Sequence, residues 1–127
     1  MRTYNEYKSG QSVGPFFGRI FAIRQNAHVL HLASKSYAEH KALNSFYEKL
    51  TDLLDSLIEV YQGQYGLVTV EQSTSKEKEA LSFLEKAAEE FASAHELFEK
   101  KDTHLHNVLD EITALTYQTI YKVKFLK

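Results

Sequence analysis

Residues 63–74 read GQYGLVTVEQST. This stretch decides the fold, because it is the one substantial break in an otherwise helical pattern. Two glycines, Gly63 and Gly66, open it as helix stops. Residues 67–70 (LVTV) have strand-like composition, but a single short strand finds no partner in this chain. An extended connection of this length reaches roughly 40 Å, as far as a helix of about 26 residues. It can therefore run along a whole helical bundle and let the next helix start from the far end.

Working outward, Ser36 is the N-cap of the helix before the break, with Glu39 as its capping-box partner. That helix runs to about residue 62, and Leu43, Phe46, Leu50, Leu53, Leu54, Leu57 and Tyr61 form its apolar stripe. Ahead of it, Pro15 suits the first turn of another helix. Phe17, Ile20, Phe21, Ile23, Ala27, Leu30 and Leu32 continue that helix to about residue 34 with helical spacing. Residues 1–14 read as a loose arm. After the break, Thr74 or Ser75 caps a third helix with Leu81, Leu84, Ala88, Phe91, Ala92 and Phe98 on one face. Lys100 and Lys101 close it, as cations suit a helix C-terminus. Asp102 or Thr103 caps a fourth, with Leu105, Leu109, Ile112, Leu115, Ile120 and Val123 inward. The expectation is an all-α single domain over residues 1–127. Two helical hairpins are joined by one long crossover, the ferritin-like form of a four-helix bundle.

Composition narrows the chemistry. The chain has 127 residues, enough for one hydrophobic core and no second domain. Cysteine is absent, which excludes disulfides, zinc–thiolate sites and thiol nucleophiles. The net charge of -2 does not suit a basic nucleic-acid binder. There are 6 histidines, so metal chemistry here must use imidazole and carboxylate ligands. Residues 1–14 hold no apolar signal segment, and no apolar run approaches membrane-helix length. A soluble, cytoplasmic protein is expected.

The second helix is the informative one. With His40 set at 0°, Asn44 falls at about 40°, Asp55 at about 60°, Glu48 at about 80° and Glu59 at about 100°. The apolar stripe centres near 275°, roughly, so these residues share a face that is not the core. His40 and Glu59 lie roughly 28 Å apart along the axis, too far for one metal. If they form one site, a second copy must bring its His40 end beside this copy's Asp55–Glu59 end, as an antiparallel two-fold dimer does. The plainer alternative is a solvated polar face. His28 and His31 share one side of the first helix, His95 reads as a core or edge histidine, and His104 and His106 read as surface residues.

The run AHVLHLASKSYAEHKALNSFYEKLTDLLDSLIEVYQG resembles the first hairpin of Dps, the starvation-type mini-ferritins. The family's ferroxidase pattern is His-x11-His-x3-Asp-x10-Asp-x3-Glu, and the same spacing here reads His28, His40, Asn44, Asp55, Glu59. KDTHLHNVLDEI is similar to the start of the last Dps helix. The chain also resembles short, often phage-encoded ferritin-like proteins. The resemblance implies an iron site at a two-fold interface, with His28 and His40 from one subunit facing Asp55 and Glu59 of its mate, and Asn44 as the fifth position. It implies iron(II) oxidation by peroxide or dioxygen and storage of iron(III) oxide in a homo-oligomeric cage, with a homodimer as the least assembly.

Three features depart from Dps. Asn44 replaces an Asp and so removes one anionic ligand. The connection after the second helix is shorter, without the family's small extra helix. The arm carries only Arg2 and Lys8 rather than a lysine-rich tail, which argues against DNA binding. No Gly-rich phosphate loop, G-x-S-x-G or H-E-x-x-H is present, and no Glu precedes a His by three residues, as a core di-iron centre requires. The alternative to an iron protein is a non-enzymatic dimeric scaffold that uses the same polar face as an interface.

Overall fold

The computed structural model describes the backbone of residues 4–127 and the side chains of residues 13–127. The described residues form four α-helices and no strand: α1 (Tyr4–Ala33), α2 (Tyr37–Tyr65), α3 (Ala80–Ser93) and α4 (Thr103–Phe125). A short 3-10 turn, Ala94–Leu97, follows α3. Helices α1 and α2 pair antiparallel, as do α3 and α4, and α2 also packs on α4. Residues 67–70 form neither helix nor strand, as suits a connection.

Helix α2 follows its sequence signals. The Ser36 hydroxyl accepts from the Glu39 N–H at 3.2 Å, which satisfies one of the free donors at a helix start. Leu43, Phe46, Leu50, Leu54 and Leu57 are fully buried along one stripe. Its end differs from expectation. Gly63 lies inside the helix, and Gly66, at φ 99°, ends it with its N–H on the Gln62 carbonyl. Only a residue without Cβ adopts that backbone readily.

Helix α1 begins earlier than Pro15, which lies within it. The first three residues of the expected arm lie outside the described residues, and the helix already starts at Tyr4. Proline lacks an N–H and costs a helix interior one hydrogen bond. The neighbouring Gly14 carbonyl accepts from the Glu71 N–H of the crossover at 3.2 Å.

The crossover is longer than expected because α1 holds its far end extended. Asn26, 4% exposed, accepts from the Ser75 hydroxyl at 2.6 Å and the Glu77 N–H at 2.9 Å, and donates to the Glu77 carbonyl at 3.0 Å. Arg19 donates to the Thr74 carbonyl at 2.7 Å and grips Glu90 of α3 through two bonds of 3.1 and 2.7 Å. Thr74 and Ser75 are therefore strapped to α1 rather than capping a helix. Glu79 caps α3 instead, accepting the N–H groups of Leu81 and Ser82 at 3.0 and 2.8 Å. The crossover thus passes α1 from Gly14 to Asn26, and α3 then runs back antiparallel to α1.

Helix α3 stops at Ser93. Lys100 and Lys101 lie in the α3–α4 connection rather than in its last turn. Phe98 turns inward from that connection and packs edge-on against Phe16 and Tyr61, with centroids 6.4 and 6.0 Å apart. Phe17 closes the cluster on Tyr61 at 5.7 Å. Asp102 occupies the N-cap position of α4, but its carboxylate turns away to accept from Gln64 at 2.9 Å and from the Tyr65 hydroxyl. Burial pushes this carboxyl up, yet the Tyr65 and Gln64 bonds, with His104 and Lys101 nearby, hold it below the ordinary range. No helix among the described residues is long and apolar enough to cross a membrane.

Candidate metal centre

The hairpin turn between α1 and α2 brings histidines together. His31, in the last turn of α1, is 7% exposed. Its Nδ1 lies 2.7 Å from the His40 carbonyl, and the His40 Nδ1 lies 2.9 Å from the His31 carbonyl. A carbonyl only accepts, so both Nδ1 atoms carry the proton. In the neutral rings both Nε2 atoms are then lone-pair donors. A carbonyl bonded to the far ring nitrogen in this way fixes the tautomer and orientation of a metal-ligating histidine. The two rings stack with centroids 3.7 Å apart.

His28 lies one turn before His31 and stacks on Tyr47 at 4.2 Å and 15°. Tyr47 organises this end of the hairpin. Its hydroxyl donates to the Asn44 side-chain oxygen at 2.8 Å, its ring meets His31 edge-on at 5.5 Å, and Arg24 lies over the ring at 5.4 Å. Arg24 is held in turn by the Thr51 hydroxyl at 3.0 Å. Nothing in the helical pattern singles out Tyr47, although its i+3 spacing from Asn44 and i+7 spacing from His40 place it beside both. His31 was read as a neighbour of the site and is in fact the direct partner of His40.

Asp55 and Glu59 are exposed on the same helix. They lie roughly 22 and 28 Å along α2 from His40. Within one chain the structure therefore joins His28, His40 and Asn44 at one end and leaves Asp55 and Glu59 at the other. Among the described residues no three His, Asp or Glu side chains come close enough to hold a metal ion.

A family model matches residues 31–123, from the end of α1 through almost all of α4. The chain belongs to DUF5856, a family of unknown function. The family's span includes His31, His40, Asn44, Asp55 and Glu59 but not His28. The chain is also similar to an "Uncharacterized 14.6 kDa protein in mobD-ri intergenic region" of Enterobacteria phage T4. The two are 23% identical over 109 residues, which cover 84% of this chain and 83% of that one. No solved structure matches the chain.

Proposed function

We propose that this chain is a ferritin-like, Dps-like protein that pairs through α2 as an antiparallel two-fold dimer and binds iron at the two ends of that pairing. His28 and His40 of one copy, with Asn44, would face Asp55 and Glu59 of the other. The observation that carries the reading is the His31–His40 exchange of Nδ1–carbonyl bonds, which leaves the His40 Nε2 as the free donor a metal needs. The donor set fits iron(II), which accepts imidazole and carboxylate and leaves positions open for an oxidant. The bundle topology, with α3 antiparallel to α1 after a long crossover, agrees with a ferritin-like fold. The Asn44 oxygen already accepts from Tyr47, so it contributes a neutral and partly engaged ligand.

The exposed face of α2 is complementary to itself when reversed. Lys41 lies toward its start and Asp52, Asp55 and Glu59 toward its end, with Glu48 and Lys49 between. Antiparallel pairing with the axis at the level of Leu50, one residue before the midpoint of α2, sets Lys41 of each copy against Glu59 of the other. Glu48 and Asp52 then meet near the axis as like charges, with Lys49 beside them. When bound, iron(II) would be the substrate, oxidised by peroxide or dioxygen; the chain's own residues hold and orient it.

Anaerobic iron(II) titration tests this. Saturable binding is expected in the full-length chain, and loss of it in His40→Ala and in the Asp55→Ala/Glu59→Ala pair. Mixing the two variants should restore about a quarter of the sites, since half the dimers are mixed and each has one intact site. Binding that survives both variants removes the site, and no recovery on mixing removes its inter-subunit nature. A dimer that takes up no iron points instead to the scaffold reading.

A further inference from the structure

The α1–α2 turn and the end of α4 lie at one end of the bundle. Helix α4 starts beside the end of α2, where Asp102 accepts from Gln64 and Tyr65, and packs back along α2. Its 23 residues span roughly 34 Å, which returns Phe125 to about the level of Ala42. Among the described residues ten large apolar side chains are exposed, and six of them gather at this end. Leu32 and Tyr37 flank the turn, 71% and 76% exposed, with Val29 three residues before Leu32. Tyr121, Phe125 and Leu126 belong to the end of α4. The Tyr121 and Phe125 rings pack together with centroids 5.9 Å apart, and the Lys124 Nζ lies over the Phe125 ring at 5.5 Å.

The same two segments are basic. Residues 29–43 and 112–127 hold Lys35, Lys41, Lys122, Lys124 and Lys127 against a single acid, Glu39, in a chain whose net charge is -2. Among the described residues none of these five lysines is in an ion pair. The crossover reaches this part of α1 at Asn26, and residues 76–79 there alternate Lys and Glu, which adds no net charge. Helix-end electrostatics accounts for Lys122 and Lys124 in the last turn of α4, but it gives no reason for the apolar side chains beside them.

We propose that this end of the bundle docks on an anionic lipid surface, with Leu32, Tyr37, Phe125 and Leu126 entering the headgroup layer and the lysines meeting lipid phosphates. Apolar side chains among lysines are what holds a protein in the plane of a membrane interface, where each lysine stem keeps its ammonium among the headgroups. Three observations select lipid as the partner. Leu32 and Tyr37 are so exposed that they project from the surface rather than line a groove for a peptide. Val29, Leu32 and Leu126 are aliphatic, which burial among acyl chains rewards and base stacking does not. The same end of a second copy would set like charges against each other.

The proposal does not rest on the iron reading. His28, Asp55 and Glu59 take no part in it, and antiparallel pairing through α2 points the two basic ends in opposite directions, so each copy docks through its own.

Co-sedimentation of the full-length chain with vesicles tests the assignment. Vesicles of equal parts phosphatidylcholine and phosphatidylglycerol should retain the chain, vesicles of phosphatidylcholine alone should not, and added salt should release it. Lys122→Gln with Lys124→Gln should weaken retention about 25-fold, at about fivefold per lysine. Leu32→Gln with Phe125→Gln should weaken it by about tenfold or more. Circular dichroism should show both variants as helical as the native chain. His40→Ala should bind vesicles as the native chain does, which separates this test from that of the iron site. No retention on the anionic vesicles overturns the proposal. So does retention that the Leu32/Phe125 pair leaves unchanged, because adsorption by charge alone needs no apolar end. Retardation of a single-stranded oligonucleotide that the lysine pair abolishes, with no vesicle retention, overturns it in favour of nucleic acid.

Discussion

At the scale of single residues, the same amino acid does different work at different places, and glycine is the clearest case. Gly66 ends α2 through its positive φ, whereas a Cβ at Gly63 would meet nothing within 4 Å. Gly14 and Gly18 lie one turn apart on α1 beneath the crossover. A Cβ on Gly14 would come within 2.5 Å of the Thr69 carbonyl oxygen, and one on Gly18 would overlap the Glu71 carbonyl. The clash is with backbone, which has no rotamer to give way. Gly18→Ala is therefore expected to lift the crossover from α1 and destabilise the protein by about 1–3 kcal/mol, despite its gain in helix propensity. Urea unfolding measures this, and a neutral or stabilising result would show that the crossover does not pack there. Sequence alone marks all these glycines as punctuation. Which of them touches another segment is a property of the assembled pair, so the close approach was not legible.

At the scale of elements, legibility follows how many independent signals agree. Helix α2 has a cap, a box partner and an apolar stripe, and it starts where those signals place it. Helix α3 carries the same kind of stripe, but competing polar side chains decide its start. Asn26 and Arg19 on α1 hold residues 74–77 extended, and the first turn forms only after Glu79. A glutamate in this role is not a pattern that sequence reading expects. Its carboxyl is held below the ordinary range by the Ser82 bonds first, against an opposing effect of burial, with the Leu81 N–H adding the smallest contribution. Glu79→Ala is expected to cost about 1 kcal/mol at neutral pH, as loss of a cap does. Because the folded-state pKa is depressed, this contribution is present above the unfolded value near 4.3 and is lost as pH falls through the folded one. The urea midpoints of the two proteins should therefore converge in acid. A difference that persists unchanged at low pH would mean that the ionised carboxylate is not the cap. Asp102 gives a milder version of the same lesson: its position as N-cap is correct, but its side chain serves Tyr65 and Gln64 across the bundle end.

At the scale of the whole molecule, the charge layout of α2 bears on assembly. If two copies pair antiparallel, Lys41→Glu should weaken self-association roughly tenfold, because it breaks two symmetric exposed pairs of up to about 1 kcal/mol each. Glu59→Lys should do the same, and the double variant should recover most of the loss. Light scattering over a dilution series reads all three, and a double variant no better than the singles would exclude this register. The helices and the linear spacing of His28, His40, Asn44, Asp55 and Glu59 could be read from residue identities, because helical periodicity and capping are local and a 3.6-residue repeat turns spacing into faces. The separation of His40 from Asp55 and Glu59 was legible for the same reason. Only the folded chain pairs His31 with His40, sets Tyr47 among His28, His31 and Asn44, and joins His95 to His106. Those pairings lie across a turn or between elements, where a hydrogen bond depends on how two backbones approach each other rather than on the order of residues along either one.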